Sequence, residues 1–214
     1  MRFYVWTVLG GLLVAGCAST ETRSADKGFV SLFDGKSLEG WTANEKPGTF
    51  SVKDGMIVVH GPRSHLFYTG PVQNHDFKDF HLKLQVMTTP GSNSGVYFHT
   101  AHQDAGWPRK GFEAQVNATH TDPKKTGSLY GVRNVLDTAP HKDNEWFDYE
   151  IIVRGKTIDL KVNGAIVTSW TQPEGYQPVQ HMPEGYLSSG TFALQGHDPQ
   201  SVVYYRNIRV KVLR

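Results

Sequence analysis

The sequence predicts an all-β domain in which two antiparallel sheets pack face to face as a β-sandwich or jelly roll. Three observations support this fold class. Apolar and polar residues alternate with a period of two in many segments, two pairs of residues have the composition of tight hairpin turns, and no long helical pattern follows the first 16 residues. Many short antiparallel strands in a domain of this length are typical of two packed sheets.

The alternation places apolar side chains on one face of each predicted strand. The inward-facing residues of the clearest strands are Phe80, Leu82, Leu84 and Val86; Tyr149, Ile151 and Val153; Ile158, Leu160 and Val162; and Ile208, Val210 and Val212. Asp54-Gly55 and Asn163-Gly164 interrupt the pattern, and such pairs favour the two-residue turns of β-hairpins. No internal repeat is visible, so residues 29–214 are expected to form one domain.

The first 28 residues differ from the rest in composition. Residues 1–16 begin with one basic residue, continue with an apolar stretch too short for a membrane span, and end in small residues, as a signal peptide does. The segment 13–17 (LVAGC) resembles the bacterial lipobox and predicts a lipid on Cys17. Residues 17–28 would then be the lipidated Cys and a flexible tether. Because Ala18 follows the Cys, we expect an outer-membrane anchor, with the domain facing the periplasm or the cell surface.

Composition argues against several classes of function. Cys17 is the single cysteine, so a lipidated chain would have no disulfide, thiol nucleophile or thiolate metal site. The formal net charge is +2 and the charges are mixed along the chain, so nucleic acid is not an expected partner. The sequence also lacks the G-x-S-x-G pattern of serine hydrolases, the HExxH metal motif and phosphate-loop spacing.

Three predicted strands carry hydrogen-bonding or titratable side chains on the face that points away from the core. These pairs are Tyr97 and His99 in residues 93–100, Glu113 and Gln115 in residues 111–116, and Gln195 and His197 in residues 191–197. If the three strands are neighbours, the six residues form one patch that contains His and Gln but no Lys. Amides and carboxylates bind vicinal hydroxyls while aromatic rings stack on sugars, so the patch suits carbohydrate. An ordinary solvated sheet face is the alternative.

Several motifs, in this order and spacing, resemble the family of 3-keto-disaccharide hydrolases, which is common among bacterial lipoproteins. They are residues 33–41 (FDGKSLEGW), 93–96 (NSGV), 111–115 (GFEAQ), 126–131 (TGSLYG), 145–146 (EW) and 194–197 (LQGH). The resemblance runs from Phe29 to the C-terminus. It implies a concanavalin A-like jelly roll with a ligand site on its concave face, acting on glycosides whose C3 hydroxyl is oxidised to a ketone. This sequence departs from the family pattern in two places. His99 stands where the family often has Arg, and residues 117–120 lack the acidic residues that are common there in the family.

The number of carboxylates on the polar face bears on the mechanism. A conventional glycosidase uses two carboxyl groups about 5–5.5 Å or 6.5–9.5 Å apart. Glu113 is the one clear carboxylate here, whereas Asp137, Glu145 and Asp198 lie in turn-like contexts or beside a core aromatic. A ketone at C3 offers another route because it acidifies the C2 proton. One base can then start an elimination that releases the aglycone, and water completes net hydrolysis.

We therefore expect Glu113 to be the general base and His99 or His197 to be the acid or the enolate stabiliser. The residues expected to bind substrate are Asn93, Tyr97, Gln115, Tyr130, Gln195, His65 and Trp107. No cofactor is predicted, although His65, His99, Glu113 and His197 could gather around a metal. Residues 121–126 are expected to be a solvated loop, and residues 176–185 a loop that borders the site. The alternatives are a non-catalytic carbohydrate-binding domain and an envelope scaffold.

Overall fold

A computed structural model describes Met1 and residues 27–214, which form thirteen strands and two short 3-10 helices. The strands, β1 to β13 in chain order, are Val30–Ser31, Trp41–Ala43, Phe50–Lys53, Met56–His60, Ser64–Tyr68, Phe80–Thr88, Asn93–Thr100, Phe112–Asn117, Phe147–Arg154, Thr157–Val162, Ala165–Thr171, Thr191–Gly196 and Val202–Val212. The 3-10 helices are Pro47–Thr49 and Val72–His75. No helix of the described residues is long and apolar enough to cross a membrane. The expected lipid site at Cys17 lies outside the described residues.

The strands form two antiparallel sheets, as the alternation predicts. The large sheet has eight strands in the order β11-β10-β9-β6-β13-β4-β3, with β1 paired to β13. The small sheet has five strands in the order β2-β5-β12-β7-β8. The three predicted polar strands are therefore neighbours, since β12, β7 and β8 lie side by side.

The core lies between the facing sides of the two sheets. Phe80, Leu82 and Val86 on the large sheet are at most 1% exposed, which confirms the predicted inward face of β6. Phe98 on the small sheet is fully buried; its ring contacts Phe80 of the large sheet edge-on at 6.0 Å and stacks on the neighbouring strand's Phe112 at 5.7 Å. Burying one such side chain contributes about 1.5–3 kcal/mol, so this layer is a principal source of stability.

The two predicted hairpin turns are present. Asp54 and Gly55 have φ of 50° and 78°, and Asn163 and Gly164 have φ of 49° and 80°. Positive φ at both central residues matches the type I′ turn, whose twist suits a two-residue hairpin. The turns connect β3 to β4 at one edge of the large sheet and β10 to β11 at the other edge.

A bulge divides β13 into two halves with opposite alternation. Val203 and Tyr205 are buried before it, and Ile208 and Val210 are buried after it, while the pairing with β6 shifts between Arg206 and Arg209. The extra residue of a bulge reverses the face that each side chain points to, so both halves of the strand reach the core. The predicted alternation holds for Ile208 and Val210. At the end of the strand, however, Val212 is 43% exposed and does not join the core.

Truncating a leucine of the central layer should destabilise the fold. Leu82→Ala is expected to lower the free energy of unfolding by about 2–5 kcal/mol because it leaves a cavity in a packed layer. The matched variant Leu136→Ala, at a position 55% exposed, should change it by less than about 0.5 kcal/mol. Urea titration would measure both values from the shift in midpoint at constant slope. Equal effects of the two variants would contradict the assigned core.

Candidate functional site

A cleft of about 450 Å³ lies over the face of the small sheet that points away from the core. This volume is within the range of roughly 300–1,000 Å³ found for small-molecule sites. The lining residues are Asn93, Tyr97, Trp107, Pro108, Glu113, Gln115, Asp122, Lys124, Tyr130, His181, Met182, Gln195 and His197. The cleft thus brings together eight of the residues that sequence analysis assigned to catalysis or substrate binding.

The polar face is covered by loops rather than solvated. Glu113 is 5% exposed and Gln195 is 2% exposed, although both alternate with core residues. Met182, from the loop before β12, packs with Phe67, Tyr97 and Ala193 as a second, smaller apolar cluster on this face. The prediction that residues 176–185 border the site is therefore confirmed, and the alternative of an ordinary solvated sheet face is wrong.

Glu113 is held at the floor of the cleft by two neighbouring strands. Tyr97 lies opposite Glu113 in the β7–β8 pairing, and its hydroxyl donates to Oε2 of Glu113 at 2.9 Å. The amide Nε2 of Gln195 donates to Oε1 at 2.8 Å and to the Tyr97 hydroxyl at 3.0 Å. A Cβ atom at Gly95 would overlap Oε1 of Glu113, so the glycine leaves the space that the carboxylate fills.

Burial determines the protonation of the Glu113 carboxyl group. Burial raises the pKa of Glu113 from 4.5 to about 7, although the hydrogen bonds from Tyr97 and Gln195 lower it in part. Burial and the adjacent Glu113 hold the pKa of Tyr97 well above its usual range, so Tyr97 stays a donor. A carboxyl group that titrates near neutrality can take up a proton and release it again in one reaction cycle.

His197 stands at the wall of the cleft with a carboxylate behind it. Its Nδ1 lies 2.7 Å from Oδ2 of Asp198, which also accepts from the hydroxyl of Ser201. Burial acts to raise the pKa of Asp198, but the hydrogen bonds from His197 and Ser201 outweigh it and hold that pKa below its usual range. The ionised Asp198 therefore orients the imidazole through its Nδ1–H and leaves Nε2 for other contacts.

His120 completes a group of three possible metal ligands with His197 and Asp198, whose ligand atoms lie within 4.8 Å of one another. The hydrogen bonds argue for a polar network instead. The backbone N–H of Asp122 donates to Nδ1 of His120 at 3.1 Å, so the neutral ring carries its proton on Nε2. Binding a metal through Nε2 would require that proton to leave. The sequence also suggested a metal site formed by His65, His99, Glu113 and His197. These four residues do not come together in the structure, because His99 lies outside the cleft.

The expected role of His99 is not supported by its position. His99 has φ of 53°, and the β12–β7 pairing shifts register between Thr191 and Ala193, so its side chain does not follow the alternation of β7. Its Nε2 donates to the carbonyl of Lys78 at 2.7 Å, and its Nδ1 accepts from the backbone N–H of Ser188 at 3.3 Å. Both nitrogens are thus used to fix a loop, and His197 is the histidine that reaches the cleft.

His65 lies next to the cleft rather than in its lining. It is opposite Gln195 in the β5–β12 pairing, fully buried, and both of its ring nitrogens lack a hydrogen-bond partner. Burial lowers the pKa of His65 to about 3, so the ring is neutral. It contacts Tyr97 edge-on at 5.3 Å and Trp107 edge-on at 5.4 Å, and therefore supports these two rings by packing. Trp107 itself is 40% exposed at the rim, where it can stack on a ligand.

Another part of the wall combines Tyr130, which sequence analysis expected to bind substrate, with Asp122, Lys124 and His181, which it did not identify. Tyr130 donates its hydroxyl hydrogen to Oδ2 of Asp122 at 2.8 Å, and Nζ of Lys124 lies 4.5 Å from the centre of the Tyr130 ring. His181 contacts the same ring edge-on at 5.3 Å. Residues 121–126 were expected to be a solvated loop; instead Asp122 and Lys124 line the cleft. The charged composition of the segment was visible, but nothing in its spacing indicated which way it folds.

The fold and the cleft together define a jelly-roll-like β-sandwich with a buried, titratable carboxyl group at the floor of a cleft on one sheet. Comparison with known sequences is more specific. The chain belongs to the family of 3-keto-alpha-glucoside-1,2-lyase-like domains, whose model matches residues 28–211. The family expected from the motifs is thereby confirmed.

Individual relatives are more distant. A 3-keto-disaccharide hydrolase of Bacteroides thetaiotaomicron is 24% identical over 87% of this chain and 79% of its own length. A Parabacteroides distasonis protein provisionally described as a glycosyl hydrolase has a TM-score of 0.73 at 21% identity, covering 92% of this chain and 99% of that one. A carbohydrate-binding module of Bacillus subtilis has a TM-score of 0.54 at 14% identity, covering 80% and 95%. The two structures establish a shared fold.

The raised pKa of Glu113 should make stability depend on pH. Because the folded pKa lies above that of the unfolded chain, folding is favoured most at low pH, and this contribution is lost as pH rises from about 4.5 to about 7. The unfolding free energy of the wild type, relative to Glu113→Gln, should therefore fall by about 2–3 kcal/mol between pH 5 and pH 8. Chemical denaturation of both proteins at the two pH values would measure it. A difference that does not vary with pH would contradict the buried, titrating carboxyl.

Proposed function

We propose that this protein is an enzyme that cleaves 3-keto-glycosides, including 3-keto-disaccharides, by elimination and hydration. The observation that carries the proposal is the buried Glu113, which has a pKa near 7, is held by Tyr97 and Gln195, and shares a cleft with the His197–Asp198 pair. A base with that pKa matches proton abstraction beside a ketone. Membership of the 3-keto-alpha-glucoside-1,2-lyase-like family supports the same substrate class.

The reaction begins at C2 of the oxidised sugar. Ionised Glu113 takes the C2 proton, and the electrons of that C–H bond move toward the C3 ketone to give an enolate. When the ketone re-forms, the C1–C2 double bond forms and the C1–O bond breaks, so the aglycone leaves with its oxygen. Protonated His197, oriented by Asp198, gives that oxygen a proton. Water then adds across C1–C2, with hydroxyl at C1 and hydrogen at C2, which completes net hydrolysis.

A two-carboxylate mechanism on ordinary glycosides is less well supported. Asp122 is a second carboxylate in the cleft, but its Oδ2 accepts from Tyr130 at 2.8 Å and its Oδ1 accepts from the backbone N–H of Lys124 at 2.9 Å. These contacts make Asp122 part of the wall. A conventional glycosidase would also cleave plain glycosides, whereas elimination requires the ketone.

Replacing the base should abolish most turnover. Glu113→Gln is expected to lower kcat for a 3-keto-glucoside by about 10²–10⁴-fold, because Gln cannot accept the C2 proton. Wild-type kcat/KM should rise with pH through about 7 as Glu113 ionises. Aglycone release, measured on matched plain and 3-keto-glucosides, checks both expectations. The exposed Glu39→Gln variant is the control and should keep wild-type rates.

A second variant tests position rather than chemistry. Gly95→Ala keeps the carboxylate but adds a Cβ where Oε1 of Glu113 lies. The variant should therefore lose kcat and also lower the free energy of unfolding by about 1–3 kcal/mol, the usual cost of overpacking a buried site. Cleavage of plain glycosides at the same rate as 3-keto-glycosides would reject elimination. Tight retention of 3-keto-glycosides without any release would instead identify a carbohydrate-binding domain.

We also propose that the enzyme acts in the cell envelope, held to the outer membrane by lipid on Cys17. The proposal rests on the leader and lipobox of residues 1–17. In a bacterial host, Cys17→Ser should abolish incorporation of labelled fatty acid and release the protein from the membrane fraction. Unchanged labelling of the variant would exclude Cys17 as the lipid site.

A further inference from the structure

Lys124 is the one lysine or arginine among the residues that line the cleft. Its ammonium group lies 3.5 Å from the hydroxyl of Tyr130 and 3.9 Å from Oδ1 of Asp122, and its side chain is 27% exposed. These distances exceed those of a strong charge-assisted hydrogen bond, about 2.7–2.9 Å. The ammonium hydrogens are therefore close to two partners but not committed to either.

The backbone around Lys124 is fixed more tightly than its ammonium group. Its N–H donates to Asp122 at 2.9 Å, and its carbonyl accepts from the side chain of Asn117 at 2.9 Å. The ring of Tyr130 packs under the ammonium group at 4.5 Å. Such a contact favours a cation without neutralising it. Lys124 is therefore a positioned cation at the wall of the cleft.

Most other strong hydrogen-bond donors of the cleft already donate to groups of the protein. The hydroxyl of Tyr97 and the amide of Gln195 donate to Glu113, and the hydroxyl of Tyr130 donates to Asp122. Elimination nevertheless creates a new negative charge. As Glu113 takes the C2 proton it becomes neutral, and the charge moves to the oxygen on C3. A preorganised cation in a largely buried site stabilises such an oxyanion strongly.

We propose that Lys124 is a catalytic residue that donates a hydrogen bond to the C3 oxygen of the 3-keto sugar and stabilises the enolate. Tyr130 and Asp122 are positioning residues that hold its ammonium group toward the cleft. The inference rests on the proposed function and adds to it the residue that recognises the ketone. The Lys124 charge also acts to lower the pKa of Glu113, which places the two groups within electrostatic reach.

Lys124→Gln, with Lys124→Arg and the exposed Lys53→Gln as companions, tests this role. Lys124→Gln should lower kcat for a 3-keto-glucoside by about 10²–10³-fold, the usual cost of losing one oxyanion donor. It should slow C2 hydrogen–deuterium exchange in D₂O as well as aglycone release, since both pass through the enolate. Lys124→Arg should recover part of the activity, because it keeps the positive charge but presents it on a larger, planar group. Lys53→Gln should match the wild type.

The pH profile separates catalysis from a structural effect. Removing the Lys124 charge should move the acid limb of kcat/KM to higher pH, because a cation that lowers the Glu113 pKa is gone. Wild-type turnover and exchange in Lys124→Gln would overturn the inference while leaving the proposed function intact. A loss that Lys124→Arg does not recover, with an unshifted profile, would also overturn it. A wild-type protein that releases no aglycone from 3-keto-glycosides would overturn both.

Discussion

Burying a carboxylate in a folded protein costs free energy unless hydrogen-bond donors offset the loss of water, and this constraint determines the arrangement of the small sheet around Glu113. The two donors come from the two strands on one side of β8: Tyr97 from β7 and Gln195 from β12. Each must stand at one position along its strand. A slip of one residue in either pairing would turn the donor into the core. The strand register therefore holds the site as well as the fold.

The strands were predictable because their signal is periodic. Burial on one face of a sheet imposes a period of two, so the inward residues of β6, β9 and β10 could be assigned before the fold was known. The same holds for Tyr97, Glu113, Gln115 and Gln195 on the opposite face of β7, β8 and β12. The alternation could not establish that the three polar strands are neighbours. Their adjacency depends on long-range pairing, which a local pattern does not encode.

The errors fall where the chain leaves regular structure. His99 occupies a strand position but has a positive φ next to a register shift, so its side chain leaves the face that alternation assigned to it. Asp122 and Lys124 lie in a loop, where no period connects sequence to direction. The loop before β12 could be recognised as bordering the site from its two prolines and lack of alternation. Nothing in it indicated that Met182 would cover the polar face.

The residues of the site lie partly on the paired strands of the small sheet and partly in loops. The small sheet supplies Glu113 and the two groups that donate hydrogen bonds to it, whereas His197, Asp198, Lys124 and Trp107 lie beyond strand ends or in loops. Loops tolerate substitution and insertion better than paired strands do. The wall of the cleft can thus differ between related chains while the centre formed by Glu113, Tyr97 and Gln195 stays the same.

Gly95 offers a way to sort related chains by one position. Any side chain there would compete with the Glu113 carboxylate for the same volume. A relative that retains the acid but carries a larger residue at this site must place its carboxylate elsewhere. Such a chain would share the sandwich, and even the cleft, without a carboxylate in the same place. In a fold used by both enzymes and binding modules, this small residue is therefore a more informative marker of chemistry than the overall architecture.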